Sequence, residues 1–137
     1  MPEPLTILIA DDHPMFRKGL RTLLATVPQV QVVGEAASGP EAIRLVEQLQ
    51  PALILMDLHM PVLDGLNATR LLREREELDG VPVVAITAYD TRATDFCHNA
   101  DVLGLGITEY LSKPIDFAAL EILLVRLLQE KSFEAAI

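Results

Sequence analysis

The chain contains acidic, hydroxyl and amine side chains that each come just after a short apolar run. Asp11 and Asp12 follow LTILIA, Asp57 follows ALILM, Thr87 follows VPVVAI, and Lys113 comes just after EYL. Carboxylates that lie close together repel one another, so such a group is stable mainly when a cation neutralises it. Oxygen ligands suit a hard cation such as Mg²⁺, and an ammonium with a hydroxyl donor suits phosphoryl oxygens. The set indicates phosphoryl chemistry, in which an Asp can be the nucleophile.

Each residue type in this set also has an ordinary structural interpretation. An Asp after a strand often only forms a turn or caps a helix, and a β-branched Thr is common in strands. A lone Lys is usually a solvated surface charge. It is the joint pattern, one polar group after each of four apolar runs, that favours a functional site.

The apolar runs predict five strands, at residues 5–10, 30–36, 52–56, 81–86 and 109–111. Three of them are apolar on successive residues, which is typical of strands buried on both faces. Helix-period segments lie between them, with Ser38, Asp64 and Asp90 as predicted N-caps and residues 115–131 as the last helix. The alternation predicts an α/β fold, a doubly wound (βα)5 parallel sheet with helices on both faces. Ligands of such sheets bind beyond the carboxyl ends of the strands.

Length and charge limit the class of protein. The chain has 137 residues, with 11 Lys and Arg against 20 Asp and Glu and a net charge of -9. We expect one domain at residues 5–131, with an extension at 1–4 and a tail or the start of a linker at 132–137. An acidic surface argues against direct nucleic-acid contact by this segment. No apolar run approaches the roughly 20 residues of a membrane span, and the one cysteine suits a reducing, cytoplasmic location.

Four stretches of the sequence carry a specific family resemblance. ILIADDHPMFRKGL, LILMDLHMPVLDG, VVAITAYD and EYLSKPID resemble, in this order, the receiver (CheY-like) domains of two-component response regulators. The match covers residues 5–131, and the segments around the first motif resemble most the receivers of the NarL/FixJ class, which precede helix-turn-helix domains. The resemblance implies a flavodoxin-like sheet with strand order 2-1-3-4-5.

The resemblance implies specific roles for the acidic residues. Asp57 is expected to accept a phosphoryl group from a histidine kinase or a histidine phosphotransfer protein. Asp11, Asp12 and Asp57 are expected to hold Mg²⁺ together with the backbone carbonyl of His59. By analogy with the family, Asp12 ligates directly and Asp11 acts largely through water.

The resemblance also implies a switch. Lys113 and Thr87 are expected to bind the phosphoryl oxygens, and Tyr110 to turn inward into the space that Thr87 leaves. The change would be read on the surface of the fourth helix, fifth strand and fifth helix. The Lys113–Pro114 bond is expected to be cis, which costs little before proline.

Two further positions flank the expected path of hydrolytic water. His59 and Tyr89 are hypothesised to set the lifetime of the phosphorylated state, while the alternative for His59 is a loop residue of which only the carbonyl matters. The segment 90–108 is longer than the commonest spacing in the family, and its purpose stays open. Cys97 and His98 in that segment are interpreted as structural.

The partners and the output remain open at this level. We expect a signalling phosphoacceptor, whose only reactions are self-phosphorylation and autodephosphorylation, and not an enzyme with another substrate. A C-terminal output domain is either missing from this chain or was never attached to it. The apolar last helix favours a homodimer, and a helix packed tightly between its neighbours is the alternative. The main alternative function is a receiver-like interaction module that is not phosphorylated.

Overall fold

The computed structural model describes residues 4–60, 63–75, 80–87, 107, 109–113 and 115–136. Its strands are β1 (Leu5–Ala10), β2 (Val30–Ala36), β3 (Leu53–Asp57), β4 (Val83–Thr87) and β5 (Glu109–Ser112). Its helices are α1 (Pro14–Leu24), α2 (Gly39–Leu49), α3 (Gly65–Glu74) and the C-terminal helix (Phe117–Ala136). The strands agree with the predicted ones, and the first two have the predicted bounds.

The strands form one parallel sheet. Their order is β2-β1-β3-β4-β5, which confirms the predicted doubly wound topology. The order reverses direction after β1, so the carboxyl ends of β1 and β3 are neighbours at the point where ligands bind in such sheets. β5 is an edge strand that pairs with β4.

The core is divided by the sheet into two apolar clusters. Successive residues of a strand point to opposite faces, so Ile7 and Ile9 join one cluster and Leu8 joins the other. The first cluster packs against α1 and the C-terminal helix, and the second packs against α2 and α3. This two-sided burial explains why the central strands are apolar on successive residues and not on alternate ones.

The starts of two helices match the predicted caps. The Ser38 hydroxyl accepts a hydrogen bond from the Glu41 N–H at 3.4 Å, and the Asp64 carboxylate accepts one from the Asn67 N–H at 2.8 Å. Both side chains satisfy N–H groups that have no partner inside the helix. The predicted cap Asp90, its helix and the rest of 88–106 lie outside the described residues.

The C-terminal helix differs from its predicted bounds of 115–131. It begins after Asp116, whose carboxylate accepts the Ala118 N–H at 3.0 Å, and it continues through Ala136 because no Gly or Pro interrupts it. Ile122 is 71% exposed and Val125 is 46% exposed, so a homodimer through this helix stays a prediction. Among the described residues, no helix is long and apolar enough to cross a membrane.

A pair of substitutions checks which face of this helix is buried. Leu124 is fully buried, and Ile122, two residues earlier, is exposed. We expect Leu124→Ala to lower the free energy of unfolding by about 2–5 kcal/mol, because it removes buried methyl groups and leaves a cavity. Ile122→Ala is the control and should change it by less than about 0.5 kcal/mol. Urea denaturation followed by circular dichroism measures both, and equal effects would contradict the packing described.

Candidate functional site

The first acidic pair lies where β1 ends. The strand ends at Ala10, and the Asp11 N–H still donates to the Ala36 carbonyl at 2.9 Å, which fixes the start of the turn. The Asp11 side chain is fully buried, and its Oδ1 accepts the His13 N–H at 2.7 Å. Because the pleat has ended before Asp11, consecutive side chains no longer point to opposite faces, so Asp11 and Asp12 can face one centre.

Asp57 is the last residue of β3 and is 1% exposed. Its Oδ1 accepts the His59 N–H at 3.0 Å, and the next residue, Leu58, donates to the Ile86 carbonyl of β4 at 2.9 Å. Gly65 packs against its backbone so closely that a Cβ there would overlap the Asp57 carbonyl group. Asp57 is therefore held in place by the two residues that follow it in the chain and by the start of α3.

Lys113 brings a positive charge to these carboxylates from the end of β5. Its Nζ lies 2.8 Å from Oδ2 of Asp11 and 3.5 Å from Oδ2 of Asp57. The same Nζ lies 4.3 Å from the centre of the Phe16 ring, at the distance of a cation–π contact. The lysine is 20% exposed, so these contacts are only partly screened by water.

Burial and the neighbouring charges shift the pKa values of Asp57 and Lys113. Burial raises the pKa of Asp57 and the negative charge of Asp11 adds to this, against the opposing effects of the His59 N–H and Lys113. Burial alone lowers the pKa of Lys113, but the hydrogen bond to Asp11 and the attraction of both carboxylates outweigh it, so that pKa is raised. At neutral pH the lysine is charged, and it does not balance all the negative charge around it.

The acidic cluster fits a divalent cation. Asp11, Asp12, His13 and Asp57 each offer one ligand atom, and these atoms lie within 4.8 Å of one another. The donors include three carboxylates, which are the ligands that Mg²⁺ prefers. Among the described residues, the buried Oδ1 of Asp12 makes no hydrogen bond; the His13 Nδ1 lies 3.1 Å from it. An acidic oxygen that is buried and lacks a hydrogen bond is a suitable place for a cation.

The structure brings four of the predicted site residues together, namely Asp11, Asp12, Asp57 and Lys113. Three other predicted site residues are described in part or not at all. The backbone of Thr87 ends β4 and pairs with Ser112, while its side chain, Tyr89 and Pro114 lie outside the described part of the structure.

Two more predicted residues lie near this edge of the sheet. Tyr110 is part-buried on β5 and pairs with Ala85, two residues before the end of β4. His59 has an exposed side chain and contributes its N–H to Asp57. Their predicted roles in switching and lifetime remain predictions.

Four residues of the site were not predicted from the sequence. These residues are Phe16, His13, Arg17 and Gly65. His13 follows the acidic pair directly and was the most visible signal. The others act through contacts between different secondary-structure elements, which a spacing pattern does not show.

The comparison with protein-family models decides the family. The model of the response regulator receiver domain matches residues 7–125. The chain belongs to the response regulator receiver domain family. As a receiver domain it has the buried acidic pocket that is typical of a phosphoacceptor site, at the edge of the sheet described above.

Individual relatives agree with this assignment. The receiver domain is 43% identical over 88 residues to the nitrate/nitrite response regulator protein NarL of Escherichia coli. The aligned region covers 64% of this chain and 41% of that protein. It therefore spans about two fifths of this curated relative.

Two solved receiver domains are similar to this chain in structure. The REC domain of AraT from Geobacillus stearothermophilus has a TM-score of 0.80 at 30% identity, over 96% of this chain and 98% of that one. The receiver domain of the sensor histidine kinase PA1611 from Pseudomonas aeruginosa, which has a magnesium ion coordinated in its active site cleft, has a TM-score of 0.78 at 33% identity. That match covers 92% of this chain and 98% of the other.

The tight contact at Gly65 gives a stability prediction. We expect Gly65→Ala to lower the free energy of unfolding by about 1–3 kcal/mol, because the new Cβ overlaps the Asp57 carbonyl group. Gly19 is the matched control: it lies inside α1 with nothing near its absent Cβ, and Gly19→Ala should stabilise the protein by about 0.5–1 kcal/mol. Urea denaturation of both variants checks the opposite signs.

The raised pKa of Asp57 gives a pH prediction. A carboxyl group whose pKa is higher in the folded state favours folding while protonated, and this is lost as the pH rises through the folded value. Charged Asp57 therefore opposes folding at pH 7. We expect Asp57→Asn to raise the free energy of unfolding at pH 7 in EDTA, and the gain to shrink as the pH falls towards the ordinary value of 3.8.

The control for this measurement is Asp64→Asn, because asparagine also caps helices well. It removes an acidic group outside the cluster and should give no comparable gain. A gain for Asp57→Asn that did not change with pH would show that charge is not its cause.

Proposed function

We propose that Asp57 of this receiver domain accepts a phosphoryl group from the phosphorylated histidine of a kinase or phosphotransfer protein. One observation carries the proposal: the buried Asp57 carboxylate lies beside the Asp11 carboxylate and the Lys113 ammonium, at the edge of the sheet where ligands of this fold bind. An ordinary structural acid does not need a second buried acid and a lysine around it.

Asp11, Asp12 and Asp57 would hold Mg²⁺ with the backbone carbonyl of His59, as the donor set suits a hard cation. The bound ion supplies positive charge to the phosphoryl oxygens. PA1611, whose receiver domain holds magnesium in its cleft, is a relative that supports this choice of metal. His13 lies at the rim of the same cluster and is 63% exposed.

The transfer itself is a displacement at phosphorus. A carboxylate oxygen of Asp57 forms the new P–O bond, the P–N bond to the donor histidine breaks, and the released imidazole nitrogen keeps the electron pair and takes up a proton. Lys113 lies 3.5 Å from Asp57 and carries the donors for the arriving phosphoryl oxygens.

The phosphorylated state would end by hydrolysis and would be read out by the neighbouring strands. Water attacks phosphorus, the bond to the Asp57 oxygen breaks, and inorganic phosphate leaves. We propose that the side chains of His59 and Tyr89 slow the entry of this water. Thr87 and Tyr110 are proposed as the switch pair, supported by their positions on the paired strands β4 and β5.

The partners follow from the family and from the length of the relatives. We propose a cytoplasmic domain of a two-component system with a histidine kinase or phosphotransfer partner. An output domain is proposed because the chain covers 41% of NarL. We also propose a homodimer, in which the exposed apolar side chains of Ile122 and Val125 would be buried. The alternative of an interaction module without phosphorylation explains the fold but gives no reason for the buried charges.

Phosphorylation is tested by intact mass after incubation with acetyl phosphate and Mg²⁺. We expect the wild type to gain one phosphoryl group, because Lys113 and the Mg²⁺ held by the acidic cluster would neutralise the charge of the phosphoryl oxygens, and EDTA to prevent the gain. Asp57→Asn should gain none, and Asp64→Asn, an acidic residue outside the cluster, should behave as the wild type. No gain by the wild type, also with a phosphorylated histidine donor, would favour the interaction module.

A further inference from the structure

Arg17 makes two contacts that join the acidic turn to the rest of the fold. Its Nη1 donates to the Asp11 carbonyl at 2.6 Å, and its Nε donates to Oε1 of Glu35 at 3.2 Å. The side chain is only 17% exposed. One guanidinium thus connects α1, which carries it, with the end of β1 and with β2, which carries Glu35.

The Asp11 carbonyl belongs to the peptide group that leads into Asp12. A hydrogen bond to this oxygen fixes the plane of the peptide, and the plane sets the direction in which the next side chain leaves the backbone. Asp12 depends on its backbone for this, because its carboxylate is 29% exposed and, among the described residues, its Oδ1 makes no hydrogen bond and lies 3.1 Å from the Nδ1 of His13.

We propose that Arg17 is a positioning residue for the metal-binding turn. By holding the Asp11–Asp12 peptide it keeps the Asp12 carboxylate directed at the divalent cation before the cation arrives. This inference rests on the proposed function, because it assumes that the acidic cluster takes a divalent cation. Arg17 touches neither the cation nor the reacting carboxylate, so it acts through Asp11.

The carboxylate of Glu35 balances the positive charge of the Arg17 guanidinium. Its carboxylate pairs with Arg17 through one oxygen and with Arg21 through the other. Arg17 therefore positions the turn with much of its charge balanced. Arginine suits the task because its planar fork donates in two fixed directions at once, to a carbonyl and to a carboxylate. A lysine has one nitrogen and does not hold both acceptors in the same geometry.

Arg21 provides a matched control. It is also on α1 and also pairs with Glu35, but it is 52% exposed, and in the described part of the chain its guanidinium hydrogen-bonds to Glu35 and not to the Asp11 carbonyl. Replacing either arginine by methionine removes one positive charge from the same helix. Only the replacement of Arg17 removes the hydrogen bond to the Asp11 carbonyl.

The two explanations for an Arg17 effect predict opposite signs. A through-space charge effect makes Mg²⁺ bind more tightly when a neighbouring positive charge is removed. Loss of positioning makes it bind more weakly, since partners behind metal ligands are typically worth a factor of about 10–100 in affinity. The direction of the change therefore separates a positioning role from simple electrostatics.

The experiment is a calorimetric titration of the full chain with MgCl₂ at constant ionic strength. We expect the Kd for Mg²⁺ to rise about tenfold in Arg17→Met and to stay within about twofold of the wild type in Arg21→Met. Arg17→Lys keeps the net charge and should also bind more weakly. The rate of phosphorylation by acetyl phosphate in Arg17→Met should recover at saturating Mg²⁺, since Asp57 and Lys113 are unchanged.

Several results would overturn the proposal. They are an unchanged or lower Kd in Arg17→Met, an equal rise in Arg21→Met, or a lower melting temperature of Arg17→Met with the Kd of the wild type. If Arg17→Met does not fold, Arg17→Lys decides: a wild-type Kd in that variant refutes positioning. A wild type that binds no Mg²⁺ refutes the proposed metal site and this inference together, whereas normal binding in both proteins refutes only the inference.

Discussion

Repulsion between buried carboxylates is the constraint on which this structure depends. Asp11 and Asp57 are almost fully buried at the ends of the two neighbouring strands β1 and β3, where water screens their charges poorly. A buried charge without a partner costs several kcal/mol, so the arrangement needs a cation. Lys113, 2.8 Å from Asp11, provides it in part. The remaining negative charge is what suits the pocket to a divalent cation.

The fold holds these charges in place by packing apolar side chains on both faces of the strands that carry them. Two side-chain clusters cover both faces of the sheet, and the strand ends that carry the acids are fixed by ladder hydrogen bonds. At the edge, contacts are polar and specific: the Phe16 ring supports the lysine, Gly65 packs on the Asp57 backbone, and Arg17 holds the Asp11 carbonyl. A rigid scaffold is what lets short turns act as a preorganised site.

The sequence predicted what depends on local pattern and missed what depends on distant contacts. Strand runs and the Ser38 and Asp64 caps are local, and the structure has them. The pairing of Arg17 with Glu35 joins residues 18 apart, which no periodicity reports. Leu23 has the helical spacing of the core residues Leu20 and Leu24 but is 38% exposed, because it lies at the rim of the apolar stripe.

The proposed chemistry also explains how a charge change at Asp57 can reach the edge strand. A phosphoryl group on Asp57 adds negative oxygens next to Lys113, whose ammonium now lies closer to Asp11 than to Asp57. In the proposed function, the stronger attraction would draw Nζ away from Asp11, and Asp11 would then depend more on the divalent cation. Lys113 directly follows Ser112, which pairs with Thr87, so this displacement would act on the last pair of β4 and β5. In the proposed function, Lys113 therefore links metal binding and phosphorylation to the paired ends of these two strands.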